Sequence, residues 1–252
     1  PDFVSLSGAM MADVPSAVLV AIAVLATIAM LAAAGPPERS KWHYLILAGL
    51  AFAASLWLKP TSIGAALPLA LAVTLSSGSG RQRLGRVAAL ALLVALPLLL
   101  EVGLGNPGGF ARQFAASWLQ SNQAFELDIG ENLSDLFAYF VDDKYSLQHI
   151  GLLLMSGIGL AVLWGRNRRV ALVSATWFAV IFVSLLFHTP LYRQHILQLL
   201  LPISLLAGIG ATDLWGILRR GSGAWQRIAA AGILLLAAAE CCASIYVDIT
   251  SL

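Results

Sequence analysis

Three groups of polar residues in this sequence could do chemistry, and each stands at the edge of a long apolar run. Asp13 closes the stretch Ser7-Gly8-Ala9-Met10-Met11-Ala12-Asp13 ahead of Val14-Pro15. A carboxylate just before a proline suits a helix N-terminus, where the helix dipole favours it. Facing a cavity, the same carboxylate would orient a sugar or a cation. Lys59 stands in Leu58-Lys59-Pro60-Thr61 between two apolar runs. A cation fixed in so short a turn suits a phosphate, although a lysine there could equally snorkel to lipid headgroups. The densest group is His188-Thr189-Pro190-Leu191-Tyr192-Arg193-Gln194-His195. Arg193 can grip phosphate oxygens with two N–H groups, and His188, Tyr192 and His195 can line a substrate cavity or move a proton. Tyr192 and Arg193 also suit plain interfacial anchoring. The two histidines form no zinc signature, and the adjacent Cys241 and Cys242 suggest neither a disulfide framework nor a metal site. No metal site is therefore assigned. Glu101 and Glu240 lie near the ends of apolar runs, where a functional carboxylate and a hydrated one are both open readings.

The elements that must hold these groups are membrane helices. Of 252 residues, 59% are hydrophobic and 11% charged, against about 25% charged in soluble domains. The apolar residues come in runs long enough to cross a hydrocarbon core about 30 Å thick. The pattern predicts an all-α, polytopic transmembrane protein forming a single domain, 1–252, with about eight spans. These run near 15–34, 42–58, 61–76, 87–105, 148–164, 170–187, 196–215 and 228–247. The second and third are split on physical grounds. As one helix, residues 42–76 would be about 52 Å long and would bury Lys59 near mid-membrane. Pro60 disfavours a helical Lys59 and removes a donor, so a tight re-entry at Lys59-Pro60-Thr61 is predicted. Eight spans also gather eleven of the fifteen basic residues on one side, which the positive-inside rule makes cytoplasmic. Asp13, Lys59, the long loop 106–147 and the loop 188–195 then share the other side. Within 106–147, Phe110, Phe114, Trp118, Leu133, Leu136, Phe137 and Phe140 recur at roughly helical spacing, predicting one or two amphipathic helices on the outer surface.

In order and placement these features resemble the bacterial branch of the GT-C glycosyltransferases, the protein O-mannosyltransferases and aminoarabinose transferases. Ser7 to Pro15 is similar to that family's small-residue stretch ending in Asp-x-Pro. Trp42 to Thr61 resembles its helix ending in a Lys-Pro or Lys-Gly turn. His188 to Gly208 resembles its His-x-Pro-Leu-aromatic-x-x-His loop, which runs into a span containing a Pro and a Leu-Ala-Gly stretch, here Pro202 and Leu206-Ala207-Gly208. The resemblance implies a membrane glycosyltransferase, an enzyme moving a sugar from a polyprenyl-phosphate donor to a lipid, glycan or protein acceptor. It places the active side on the non-cytoplasmic face of a bacterial plasma (inner) membrane. It also implies that Lys59 and Arg193 lie near the donor phosphate, and that Asp13, His188, Tyr192 and His195 line the cavity. The family's acidic general base sits in a loop ahead of the Asp-x-Pro stretch. The catalytic base is therefore expected upstream of residue 1, and the chain is expected to be an inactive fragment on its own. No cofactor is assigned, and a divalent cation is left open. A transporter or flippase for a lipid-linked or small polar substrate is the alternative, and a non-catalytic membrane subunit or polymer ligase a third. With no Gly-rich phosphate loop, no nucleophile elbow and no basic surface, ATP-driven chemistry and nucleic-acid binding are not expected.

Overall fold

The computed structural model describes residues 2–33, 38–104, 128–141, 150–187, 193–220 and 223–250, and among them every regular element is helical. In chain order these are α1 (Asp2–Ala32), α2 (Glu38–Leu58), a 3₁₀ turn (Pro60–Ala65), α3 (Ala66–Leu75) and α4 (Gly80–Gly103), followed by α5 (Ile129–Val141), α6 (Ile150–Arg166), α7 (Arg168–Leu186), α8 (Arg193–Arg219) and α9 (Ala224–Thr250). Each of the eight apolar runs falls on a helix, the third on the 3₁₀ turn and α3 together. Among the described residues, four helical segments are long and apolar enough to cross a membrane: Val14–Ala32, Lys41–Leu58, Arg168–Leu186 and Gln198–Arg219.

The surface is suited to lipid. Along α1 the exposed stripe is Val14, Val18, Ile22 and Leu25, while Ser16 and Thr27 are buried. Contiguous apolar stripes of this kind are rare on soluble monomers. Three hydroxyls within the helices bond to their own helix, as suits lipid: Thr27 donates to the Val24 carbonyl, Ser156 to Leu153 and Thr212 to Gly208.

A tight turn at Lys59-Pro60 is present. Lys59 is extended (φ −147°, ψ 100°), its N–H donates to the Ser55 carbonyl, and its own carbonyl accepts from Ser62. From Lys41 to Leu58 the α-helix rises about 27 Å. The 3₁₀ turn, with its longer rise per residue, and the short α3 descend about the same distance. The chain thus returns to its starting level, where the Lys41 ammonium donates to the Ser77 hydroxyl. Impermeant maleimide labelling checks this. Cysteines at Ser62 and Ser77 should react from opposite faces of the membrane, and reaction of both from one face would contradict the fold.

The end remote from Lys59 is pinned by its basic residues. Arg86, 2% exposed, donates to the Ser76 hydroxyl and the Ser77 carbonyl, tying α4 to the end of α3. Gly78 turns the chain at φ +132°, a conformation open to glycine. Ser79 and Gln82 then form a reciprocal capping box at the start of α4. At the same end Asn167 caps α7 by accepting from the Val170 N–H, and Arg166 pairs with Asp213 at 2.6 Å. Helices α1 to α4 pack as one group and α6, α8 and α9 as another, with α7 and the α1–α8 contact joining them. The closest helix pair is α6 against α8. There Gly159 meets the Leu206 carbonyl and Gly210 meets the Met155 carbonyl, with no room for a Cβ at either.

Candidate functional site

At the Lys59 end, three serines from three elements form one hydrogen-bonded chain. Ser16 of α1 lies 3.0 Å from the Ser55 hydroxyl of α2 and 2.7 Å from the Ser62 hydroxyl of the 3₁₀ turn. Ser16 and Ser55 are buried. These bonds fix the entry of α1 against both sides of the Lys59 turn, whose ammonium stem is half-buried. Gly64 lets the turn approach α7 closely: an added Cβ would lie 2.9 Å from Val180 Cγ1.

The turn closes one wall of a partly open cleft of about 40 Å³ between α1, α7 and α8. Ser62, Ser184, Gln198 and Trp177 line it, with Ala17 and Leu201 among the apolar contributors. Trp177, 1% exposed, has an indole N–H with no hydrogen-bond partner, and so does the hydroxyl of Ser174 one turn away. A buried donor left unmade costs about 1–3 kcal/mol.

Of the residues expected at the site, the backbone brings four to this end. Asp13 lies one turn before Ser16 on α1, Lys59 is in the turn, Arg193 opens α8, and His195 lies one turn before the cleft-lining Gln198. His195 is 8% exposed and already engaged. The side chains of Asp13 and Arg193, together with His188 and Tyr192, lie outside the described residues. The helix-N-terminus reading of Asp13 is corrected. Helix α1 begins at Asp2 and runs through Pro15, so Asp13 is in its interior, beyond the first turn in which the dipole acts. Pro15 removes one helix hydrogen bond and crowds the carbonyl four residues before it, yet the helix continues through it.

An amphipathic helix also lies at this end. Most of 106–147 is outside the described residues, but α5 is as expected. Leu136 and Phe140 pack into a cluster with Leu185, Ile196 and Leu199, and Asn132 donates to the Leu186 carbonyl. Beneath α5 is a second pocket of about 240 Å³, lined only by apolar side chains such as Phe137, Phe178, Phe182 and Leu199. It lies on a neighbouring face of α7 and α8 from the cleft. Glu240 of α9 has a structural role: both carboxylate oxygens accept from the Gly151 N–H, at 2.8 and 3.0 Å, capping α6. Glu240→Ala is expected to destabilise the protein by about 1–3 kcal/mol, seen as a lower melting temperature, with Glu240→Gln intermediate because it keeps an acceptor.

Among the described residues, no three His, Cys, Asp or Glu side chains come together as metal ligands. Sequence reasoning missed Ser16, Ser55, Ser62, Trp177 and Gln198. Their one signal was polarity within apolar runs. The chain matches no family model, no curated protein and no solved structure. The family resemblance therefore rests on the motifs alone.

Proposed function

We propose that this chain is the membrane domain, with eight spans, of a glycosyltransferase that uses a polyprenyl-phosphate sugar and works on the non-cytoplasmic face of a bacterial inner membrane. The observation that carries this reading is that the Asp13 segment, the Lys59 turn and the Arg193–His195 start of α8 lie at one end of the bundle, beside a small cleft whose largely apolar lining includes Ser62, Ser184 and Gln198. The apolar pocket under α5 supports it, since an amphiphile with a charged head and an isoprenoid tail needs both environments at one depth. In this reading Lys59 and Arg193 hold the donor phosphate and stabilise the charge that grows on it as the bond to the anomeric carbon breaks. Asp13, His188, Tyr192 and His195 orient the sugar and the acceptor. The acceptor hydroxyl or amine attacks from the opposite face, inverting the configuration, as a general base removes its proton. A divalent cation could share the phosphate charge, but no step here requires one. The test is transfer of a radiolabelled sugar from polyprenyl-phosphate donors to endogenous acceptors by the full-length protein in membranes. Labelled product supports the reading. Movement of donor across the bilayer without product would replace it with the flippase alternative.

A further inference from the structure

We infer that the ends of α6, α7, α8 and α9 remote from Lys59 together form a binding site for an anionic phospholipid, with arginines on its phosphodiester and its acyl chains laid along α9. Such a site requires only that these helices sit in a membrane, and is independent of the chemistry proposed at the Lys59 turn.

Charge selects the ligand. Helix α6 ends on Arg166, α7 opens on Arg168 and Arg169, α8 closes on Arg219 and Arg220, and α9 carries Arg227 in its first turn. All six are exposed. The four ends adjoin, because α8 packs on α6, α7 and α9, and α6 also packs on α7 and α9. Near this end Leu214 of α8 and Ala230 of α9 are buried in one cluster. Between Asp143 and Glu240 the sequence holds one acidic residue, Asp213, which pairs with Arg166. One carboxylate does not neutralise six guanidinium groups. The helix dipoles add to the field. Arg168, Arg169 and Arg227 stand at helix N-termini, where the dipole opposes a cation, and neither α7 nor α9 has an acidic residue in its first turn. Orientation in a membrane asks for basic residues on one side, but not for six of them on four adjoining helix ends.

Position selects a lipid over a soluble anion. Trp164 precedes Arg166 by two residues, Trp215 lies one turn before Arg219, and Trp225 precedes Arg227 by two; all three are exposed. Tryptophan is a residue of the membrane–water interface. The Arg219 guanidinium lies over the Trp215 ring, 5.7 Å from its centroid, which holds the cation at that level. From Trp225, 83% exposed, an apolar stripe continues along α9 through Ile228 and Leu235. A lipid whose phosphodiester lies among the arginines has this stripe for its chains. The planar guanidinium fork fits two phosphate oxygens at once. A zwitterionic lipid brings its own cation to the same place, so the net positive field favours a lipid with net negative charge.

The experiment is native mass spectrometry of the full-length protein released from nanodiscs of mixed phosphatidylcholine and phosphatidylglycerol. The wild type should retain phosphatidylglycerol in preference, and equal retention of the two lipids overturns the site without recourse to any variant. Arg168→Gln with Arg169→Gln, or Arg219→Gln with Arg220→Gln, should weaken that retention about thirty-fold, two contacts of about five-fold each. Arg81→Gln with Arg83→Gln removes the same charge from the exposed start of α4, which packs on α2 and α3 instead. This pair should leave retention unchanged. Equal losses from all three pairs would overturn the site in favour of a general surface-charge effect, and displacement of the lipid by inorganic phosphate would overturn it in favour of a simple ion site. Melting temperatures in phosphatidylcholine alone should be equal for all variants, since every substituted side chain is exposed.

Discussion

Gly159→Ala is expected to destabilise the protein by about 3 kcal/mol, although alanine is the better helix former by about 1 kcal/mol. The two effects oppose each other, and packing decides the sign. At Gly159 an added methyl group would overlap the Leu206 carbonyl oxygen and press on the Gly210 N–H, both of them backbone atoms on α8 that no rotamer change can move aside. Relief requires α6 and α8 to separate along their whole contact. Overpacking of this kind costs about 1–3 kcal/mol and sometimes more, and in lipid there is no hydrophobic gain to hold the helices together once close packing is lost. Gly159→Leu should prevent the helices from docking at all. An internal control lies two residues away. An added Cβ at Gly157 meets nothing within 4 Å, so Gly157→Ala should be neutral or slightly stabilising. Thermal unfolding in detergent compares the pair. Equal melting temperatures for Gly159→Ala and Gly157→Ala would contradict the close crossing.

This crossing marks where the sequence stops being informative. The turn at Lys59-Pro60 was legible because three local costs coincide there: a length too great for the bilayer, a buried cation and a proline. The distribution of basic residues was legible because it follows the termini of the helices, and Lys41, Arg86 and Arg166 are found at the end remote from Lys59. The apolar face of α5 was legible from the spacing of Leu133, Leu136, Phe137 and Phe140. Gly159 and Gly210, by contrast, look like any glycines in a membrane helix until two helices choose to cross there. Ser16, Ser55 and Ser62 are ordinary small polar residues whose meaning lies in a contact across 39 and 46 positions. Trp177 resembles an interfacial anchor by type, and only its depth in the bundle shows that it is a core residue. Glu240 stayed open between a functional and a hydrated carboxylate because its partner, the first turn of α6, is 89 residues away. The candidate residues stood out in the sequence as types and as neighbours of span ends; the backbone carries Asp13, Lys59, Arg193 and His195 to one end of the bundle, while the cleft beside the Lys59 turn was unforeseen.

Lys59→Ala is expected to lower sugar transfer about a hundred-fold, the scale of losing one charge-stabilising contact in a transition state. The turn that carries it is held by Ser55 and Ser62 on either side, so the cation is positioned in advance and its removal should affect turnover more than folding. Arg193→Ala should cost a similar factor. Arg193→Lys should recover only part of it, since an ammonium cannot make the paired, planar contact of a guanidinium with two phosphate oxygens. Arg81, exposed at the opposite end of the bundle, supplies the control: Arg81→Ala should leave transfer unchanged, which separates a local phosphate role from a general effect of positive charge. The decisive measurement is the rate of label transfer from a polyprenyl-phosphate sugar by the full-length protein in nanodiscs, for wild type, Lys59→Ala and Arg81→Ala, with melting temperatures taken in parallel. Loss of transfer in Lys59→Ala alone, at an unchanged melting temperature, is the predicted result. Equal rates in all three proteins would contradict a phosphate site at the Lys59 turn, and with it the transferase site at this end of the bundle.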